Sequence, residues 1–75
     1  MAVASLILET QNGSCKAVLD RLASKTGITV FGVKDNQIVT VVEASDMNTV
    51  KETIAGLSHM DDVIGAYPVY AGDYD

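Results

Sequence analysis

Strand-like apolar runs outnumber the helices available to cover them, and this imbalance constrains the fold more than any other feature. The 75 residues hold four strand-like runs but only two helix-like segments. Two helices can cover one face of a four-stranded sheet, and strands with a solvated second face should alternate apolar and polar residues. The run 38–42 (IVTVV) does not alternate in this way. We therefore expect an uncovered apolar sheet face, which usually binds a partner.

The length of the chain restricts it to one small domain, which we expect to comprise residues 1–75, and its charge restricts the class of partner. A chain of this length buries only about 60% of its unfolded surface and is marginally stable. Ten acidic residues against five basic residues give a net charge of −5. Nucleic-acid binding needs a basic patch, so we expect no nucleic-acid partner. The charge favours a basic partner, although solubility is the commoner reason for such a charge.

The cysteine count and the first residues indicate a cytoplasmic protein. Cys15 is the only cysteine, so no internal disulfide forms, which fits a reducing compartment. The start MAVAS lacks a basic region, and Glu9 interrupts the apolar run that follows. We expect neither a signal peptide nor a membrane span.

The order of predicted elements indicates an α+β, ferredoxin-like βαββαβ sandwich. Strands are expected at residues 2–9, 28–34, 37–44 and 63–70, and helices at about 15–25 and 47–58. Asp35-Asn36 predicts a tight turn between the second and third strands. Ser14 or Asn12, and Ser45 or Asp46, are candidate helix caps. Right-handed crossovers then give a four-stranded antiparallel sheet of order 4-1-3-2, with both helices on one face.

Two further expectations concern the end of the chain. Pro68 lacks a backbone N–H, so the fourth strand should lie at an edge of the sheet. Residues 71–75 are short and acidic, and they predict a mobile tail.

Period-2 alternation assigns each strand residue to one face of the sheet. Residues predicted to face the helices are Ala4, Leu6, Leu8, Ile28, Val30, Val39, Val41, Ile64, Ala66 and Pro68. Residues predicted to form an open binding face are Val3, Ser5, Ile7, Glu9, Phe31, Val33, Ile38, Thr40, Val42, Tyr67 and Val69. Such dense aliphatic side chains suit a docked amphipathic helix, whose basic residues would meet Glu9, Asp35 and Glu43 at the rim. Homodimerisation through this face is an alternative.

Catalytic and metal-binding residues are not indicated. Cys15 lies where metal-binding domains of this fold place a Cys-x-x-Cys pair, but Val18 occupies the second position, and a single thiol makes a poor copper site. His59 follows a helix end, where a cation complements the helix dipole, and no partner for catalysis is identifiable. We therefore expect a binding module that is not an enzyme, with no metal and no cofactor.

Several segments, in order along the chain, resemble the NapD family. They are 5–8 (SLIL), 37–46 (QIVTVVEASD) and Val69-Tyr70, and VVEA with Asp46 is the most specific part. The resemblance covers essentially the whole chain. The chain differs from longer relatives in having little before the first strand and a short tail.

The resemblance implies a small cytoplasmic chaperone with a ferredoxin-like fold. Such a protein would bind the twin-arginine signal peptide of the periplasmic nitrate reductase catalytic subunit, NapA. It would hold back export through the twin-arginine translocation (Tat) pathway until the molybdenum cofactor is installed. From another class, a regulatory domain of the amino-acid-sensing type remains an alternative. Domains of that type bind small molecules at dimer interfaces, often near a glycine-containing first loop, and Gln11-Asn12-Gly13 is the corresponding loop here.

Overall fold

Six elements make up the fold, and all lie within residues 1–74, which the computed structural model describes; Asp75 lies outside the described residues. The elements are β1 (Ala2–Thr10), α1 (Cys15–Ala23), β2 (Ile28–Lys34), β3 (Gln37–Ala44), α2 (Met47–Ser58) and β4 (Val63–Asp73). Each strand pair is antiparallel, and the strand order is β2-β3-β1-β4. The predicted ferredoxin-like α+β fold and its strand order are confirmed, and β4, which carries Pro68, is an edge strand.

The core lies between the two helices and one face of the sheet. Strict alternation along β1 places every second side chain from Ala2 to Thr10 in the interior. The helices contribute Val18 and Leu22 from α1 and Val50 and Leu57 from α2, all of them fully or almost fully buried. Helical spacing aligns each of these pairs on one stripe.

Asp46 fixes the start of α2 as its N-cap. One carboxylate oxygen, Oδ1, accepts a hydrogen bond of 2.8 Å from the backbone N–H of Thr49. This bond favours the ionised carboxylate and lowers the pKa of Asp46. The cap of α1 differs, because the N-cap residue Ser14 makes no side-chain capping bond. At its other end, α1 stops at Ala23, two residues before the predicted end.

Two connections have a positive backbone φ at a non-glycine residue. Asp35, with φ 56°, makes the tight turn that joins β2 to β3, as the sequence predicted. Asp62, with φ 72°, lies between α2 and β4. Arg21 on α1 holds that second connection, because its guanidinium donates to the Asp61 carbonyl at 2.6 Å and to the Asp62 carboxylate at 3.0 Å.

β4 runs further than the sequence predicted. Ala71, Gly72 and Asp73 pair with Ala4, Val3 and Ala2 of β1, so the tail predicted to be mobile continues the edge strand as far as Asp73. Asp75, the last residue of that predicted tail, lies outside the described residues.

Candidate functional site

The face of the sheet turned away from the helices carries no covering element among residues 1–74. Cross-strand partners point to the same face, so the strand registers assign its members. We call this surface the open face. Its members, in four rows across the sheet, are Lys34, Gln37, Glu9 and Gly65; Gly32, Val39, Ile7 and Tyr67; Thr29, Val41, Ser5 and Tyr70; and Glu43, Val3 and Gly72.

Register shifts in the two edge strands add further apolar side chains to the open face. Where a strand bulges, two of its residues oppose one residue of the partner strand. The extra residues are Phe31 in β2 and Ile64 and Val69 in β4. Each comes directly after a residue that faces the core together with its cross-strand partner. All three side chains are more than half exposed. The bulges therefore widen the apolar surface at both edges of the sheet.

Two tyrosines lie flat along β4 and lean in opposite directions. The tip of the Tyr67 ring covers Gly65, and a Cβ added at Gly65 would lie 2.6 Å from the ring carbon Cζ. The Tyr70 ring leans the other way and covers Gly72, where an added Cβ would lie 3.1 Å from Cζ. The rings occupy the space of a side chain at both positions, so a residue larger than glycine would displace them. Between the two rings the face is left to smaller side chains.

Charge on the open face is confined to its two end rows. Glu9 is half-buried on the central strand β1, and its Oε1 accepts a 3.5 Å hydrogen bond from the Tyr67 hydroxyl. Glu43 lies exposed at the opposite end, and Lys34 lies in the Glu9 row across Gln37. Neither glutamate has an ion-pair partner among residues 1–74. Two rows of mainly apolar residues therefore separate two end carboxylates.

Tyr74 extends the aromatic edge beyond the end of β4. Its hydroxyl is in hydrogen-bond contact with the hydroxyl of Tyr70. That hydrogen bond raises the pKa of Tyr74 above its ordinary value.

The structure places six of the predicted binding-face residues where the sequence put them by register. They are Val3, Ser5, Ile7, Glu9, Tyr67 and, through its bulge, Phe31. Val69 also lies exposed, in the second bulge of β4. Of the predicted rim acids, Glu9 and Glu43 lie on the open face, while Asp35 is exposed in the hairpin turn.

The prediction for β3 was wrong, because the two faces of this strand are interchanged. Ile38, Thr40 and Val42 are 0–1% exposed and belong to the core, where Thr40 is opposite Leu6. The Thr40 hydroxyl donates to the Ile38 carbonyl at 3.4 Å, which satisfies a polar group inside an apolar layer. Val39 and Val41, predicted to face the helices, lie on the open face instead.

Bulges caused three further errors. Val33 is opposite the buried Ile38 and therefore lies on the helix face, since the bulge at Phe31 reverses the alternation of β2. Ile64 was predicted to face inward but is 54% exposed, because Val63 takes the inward position opposite Thr10. The bulge at Val69 brings Tyr70 onto the open face, which sequence alternation missed.

No metal site, pocket or membrane-spanning helix is found in the part of the chain that the structure describes. Residues 1–74 contain no group of three or more potential metal ligands and enclose no pocket. Neither described helix is long and apolar enough to cross a membrane. The candidate functional site is the open face, with its exposed apolar side chains.

Family comparison identifies the lineage of the chain. The model of the NapD family, described as NapD protein, matches residues 1–73. The chain belongs to the NapD family. Its fold is similar to the solution structure of the Escherichia coli Tat proofreading chaperone protein NapD, with a TM-score of 0.84 and 24% sequence identity. That match covers 97% of this chain and 79% of the E. coli chain. No curated protein sequence matches this chain.

The structural match itself establishes the shared fold, because its sequence identity is low. An open apolar sheet face is in keeping with a macromolecular partner.

Proposed function

We propose that this protein is a cytoplasmic chaperone that binds the twin-arginine signal peptide of NapA on its open face. Binding would hold back export of NapA through the Tat pathway until its cofactor is installed and the enzyme is folded. The observation that carries the proposal is the uncovered apolar face bounded by Glu9 at one end and Glu43 at the other. Family membership supports the same conclusion.

The dimensions of the open face suit a short helix. Its four rows along β1 extend for about 20 Å, because alternate residues of a strand lie about 7 Å apart. A helix of about 13 residues has the same length. The apolar rows, which include Ile7, Val39 and Val41, would cover one side of that helix.

Electrostatics favours a basic ligand. The protein carries a net charge of −5, and Lys34 is the only lysine or arginine among the open-face residues. A signal peptide combines a positively charged region with an apolar segment. Such a peptide therefore matches both the apolar middle and the acidic ends of the open face.

Calorimetric titration with a synthetic NapA twin-arginine signal peptide tests the proposal. The matched variants are Phe31→Ser and Val33→Ser, since both remove an exposed apolar side chain from β2 but on opposite faces of the sheet. We expect wild-type protein to bind, Phe31→Ser to bind at least fivefold more weakly, and Val33→Ser to bind like wild type, because only Phe31 lies on the open face.

Three results would contradict the proposal in different ways. Absence of binding to the wild-type protein would exclude the signal peptide as its ligand. Equal weakening by Phe31→Ser and Val33→Ser, with circular dichroism spectra unchanged, would place the peptide somewhere other than the open face. A dimer detected by light scattering and disrupted only by Phe31→Ser would instead assign the face to self-association.

A further inference from the structure

We propose that Glu9 and Tyr67 form a guanidinium-binding subsite that holds one of the two consecutive arginines of the bound peptide. This inference rests on the proposed function and specifies where the basic end of the peptide lies. The two residues belong to neighbouring strands, and the Tyr67 hydroxyl donates to Glu9 Oε1 at 3.5 Å. A carboxylate beside an aromatic ring supplies an ion pair and a cation–π contact to the same guanidinium.

Glycine at position 65 makes this arrangement possible. Gly65 lies opposite Glu9, and the Tyr67 ring rests where its side chain would be. The ring therefore lies flat beside the carboxylate, and more than half of its residue surface remains exposed. A planar guanidinium can stack on the free face of the ring while its N–H groups reach Glu9.

Glu9 meets the requirements for the arginine contact better than Glu43. The Glu9 side chain is half-buried beside the ring, so its interactions are screened less by water than those of the exposed Glu43. Glu9 forms no ion pair with any group within residues 1–74. The tip of Tyr70, the other open-face tyrosine, bonds to Tyr74 and not to Glu43.

Lys34 determines the side from which the arginine approaches. Lys34 lies two strands from Glu9 in the same row, across Gln37, at a backbone separation of about 10 Å. A second cation is repelled from that side, which leaves the β4 side, where Tyr67 lies. The peptide would then run from the Glu9 row, which takes its basic end, across the apolar rows toward Glu43.

Helical geometry gives the two arginines different roles. Consecutive residues of a helix point about 100° apart, since one turn contains 3.6 residues. Only one of the two side chains can therefore reach Glu9 and Tyr67, while its neighbour points away from the sheet.

The test is a set of titrations at low ionic strength with three peptides: the wild-type NapA signal peptide and two versions in which one arginine is changed to glutamine. The proteins are wild type, Glu9→Gln and, as the matched control, Glu43→Gln. We expect Glu9→Gln to bind the wild-type peptide about fivefold more weakly and Glu43→Gln to change affinity less than twofold. One single-arginine peptide should show at least the same loss with wild-type protein, because it also loses the contact with the Tyr67 ring, and Glu9→Gln should weaken its binding no further.

A second variant examines the ring without removing any charge. Gly65→Ala places a methyl group against the Tyr67 ring and should displace it. We expect this variant to bind the peptide that carries the contacting arginine more weakly than wild-type protein does. Its affinity for the peptide with glutamine at that position should be unchanged.

The outcomes separate this inference from the proposed function. The subsite would be overturned if Glu9→Gln bound the wild-type peptide with unchanged affinity, or if Glu9→Gln and Glu43→Gln lost equal affinity for it. The proposed function would still stand in both cases, provided that wild-type protein binds the peptide. Equal losses from the two single-arginine peptides would also overturn it, because a single subsite requires an unequal pair. Failure of wild-type protein to bind the wild-type peptide would overturn both.

Discussion

Gly27 lies directly against the backbone of Glu43, because its carbonyl accepts the Glu43 N–H at 2.8 Å and a Cβ at Gly27 would lie 2.7 Å from the Glu43 carbonyl oxygen. Its φ of +75° is also unfavourable for any residue with a Cβ. Gly27→Ala therefore combines backbone strain with a steric clash. We expect it to lower the free energy of unfolding by about 2–3 kcal/mol, measured by urea denaturation.

Two other glycines provide matched controls for Gly27→Ala. Gly13 has a φ of +83° but open space around the added Cβ, so Gly13→Ala should show the strain alone, about 1 kcal/mol. Gly56 lies within α2 with neither strain nor clash, so Gly56→Ala should stabilise the protein by about 0.5–1 kcal/mol. Equal costs for the Gly13 and Gly27 substitutions would show that the contact with Glu43 contributes nothing.

The Asp46 cap predicts a pH-dependent contribution to stability. Its hydrogen bond from the Thr49 N–H lowers the pKa of Asp46 in the folded state. The stabilisation is therefore fully present above the unfolded pKa, about pH 4, and is lost as the pH falls through the lower folded value. We expect Asp46→Ala to lower the thermal midpoint at pH 7, and this deficit to shrink progressively below about pH 4.

Asp46→Asn is the control for the cap. Asparagine also accepts the capping bond but does not titrate in this range. It should keep most of the stability at pH 7, and its difference from wild type should reflect only the charge near the helix N-terminus. An Asp46→Ala deficit that is constant from pH 7 to pH 2 would contradict a role for the ionised carboxylate.

Two valines of β3, Val39 and Val42, test the assignment of the two sheet faces. Val42 is 1% exposed in the core, whereas Val39 is 42% exposed on the open face. Valine and threonine have nearly the same shape, so Val42→Thr mainly buries a hydroxyl and should cost about 1–3 kcal/mol. Val39→Thr should change the free energy of unfolding by less than about 0.5 kcal/mol. Chemical denaturation of the two variants measures both values, and a larger cost for Val39→Thr would reverse the assignment.

Sequence reasoning predicted the fold and β1 well because local signals agreed there. Ser5 and Glu9 mark one face of β1, and unbroken alternation carries the assignment along the strand. In β3 the polar Thr40 was predicted on the open face, although its hydroxyl bonds within its own strand. Gln37 and Glu43 share the alternate phase with Val39 and Val41, and these two polar ends were the better signal.

The bulges were not predictable from alternation alone. Each inserts one residue and reverses the phase of the strand that follows it. Gly32 beside Phe31 and Gly65 beside Ile64 were weak hints, since glycine within a strand often marks a bulge. Pro68 beside Val69 was a comparable hint, since proline within a strand is confined to edge positions and bulges. Only the strand register shows that this bulge places Tyr70 on the open face.

The clamp between Arg21 and the connection before β4 gives the last prediction. Both donors of the clamp come from one guanidinium, which bonds the Asp61 carbonyl at 2.6 Å and the Asp62 carboxylate at 3.0 Å. The ion pair is more than one-third exposed, so solvent screens it. We expect Arg21→Met to lower the free energy of unfolding by about 1 kcal/mol, and Arg21→Lys to restore less than half of that loss, because an ammonium group cannot reproduce the two-pronged geometry.

Lys16→Met is the matched control for Arg21→Met, since it removes a cation from the same helix. Lys16 pairs with Asp20 at 3.0 Å, but both side chains are far more exposed and lie within α1. Its removal should change the free energy of unfolding by less than about 0.5 kcal/mol. The two variants are compared by urea denaturation at 0.05 M and 0.5 M salt. The Lys16 effect should vanish at high salt, while part of the Arg21 effect persists through the bond to the neutral Asp61 carbonyl. Complete loss of both effects at high salt would show that the carbonyl bond contributes nothing.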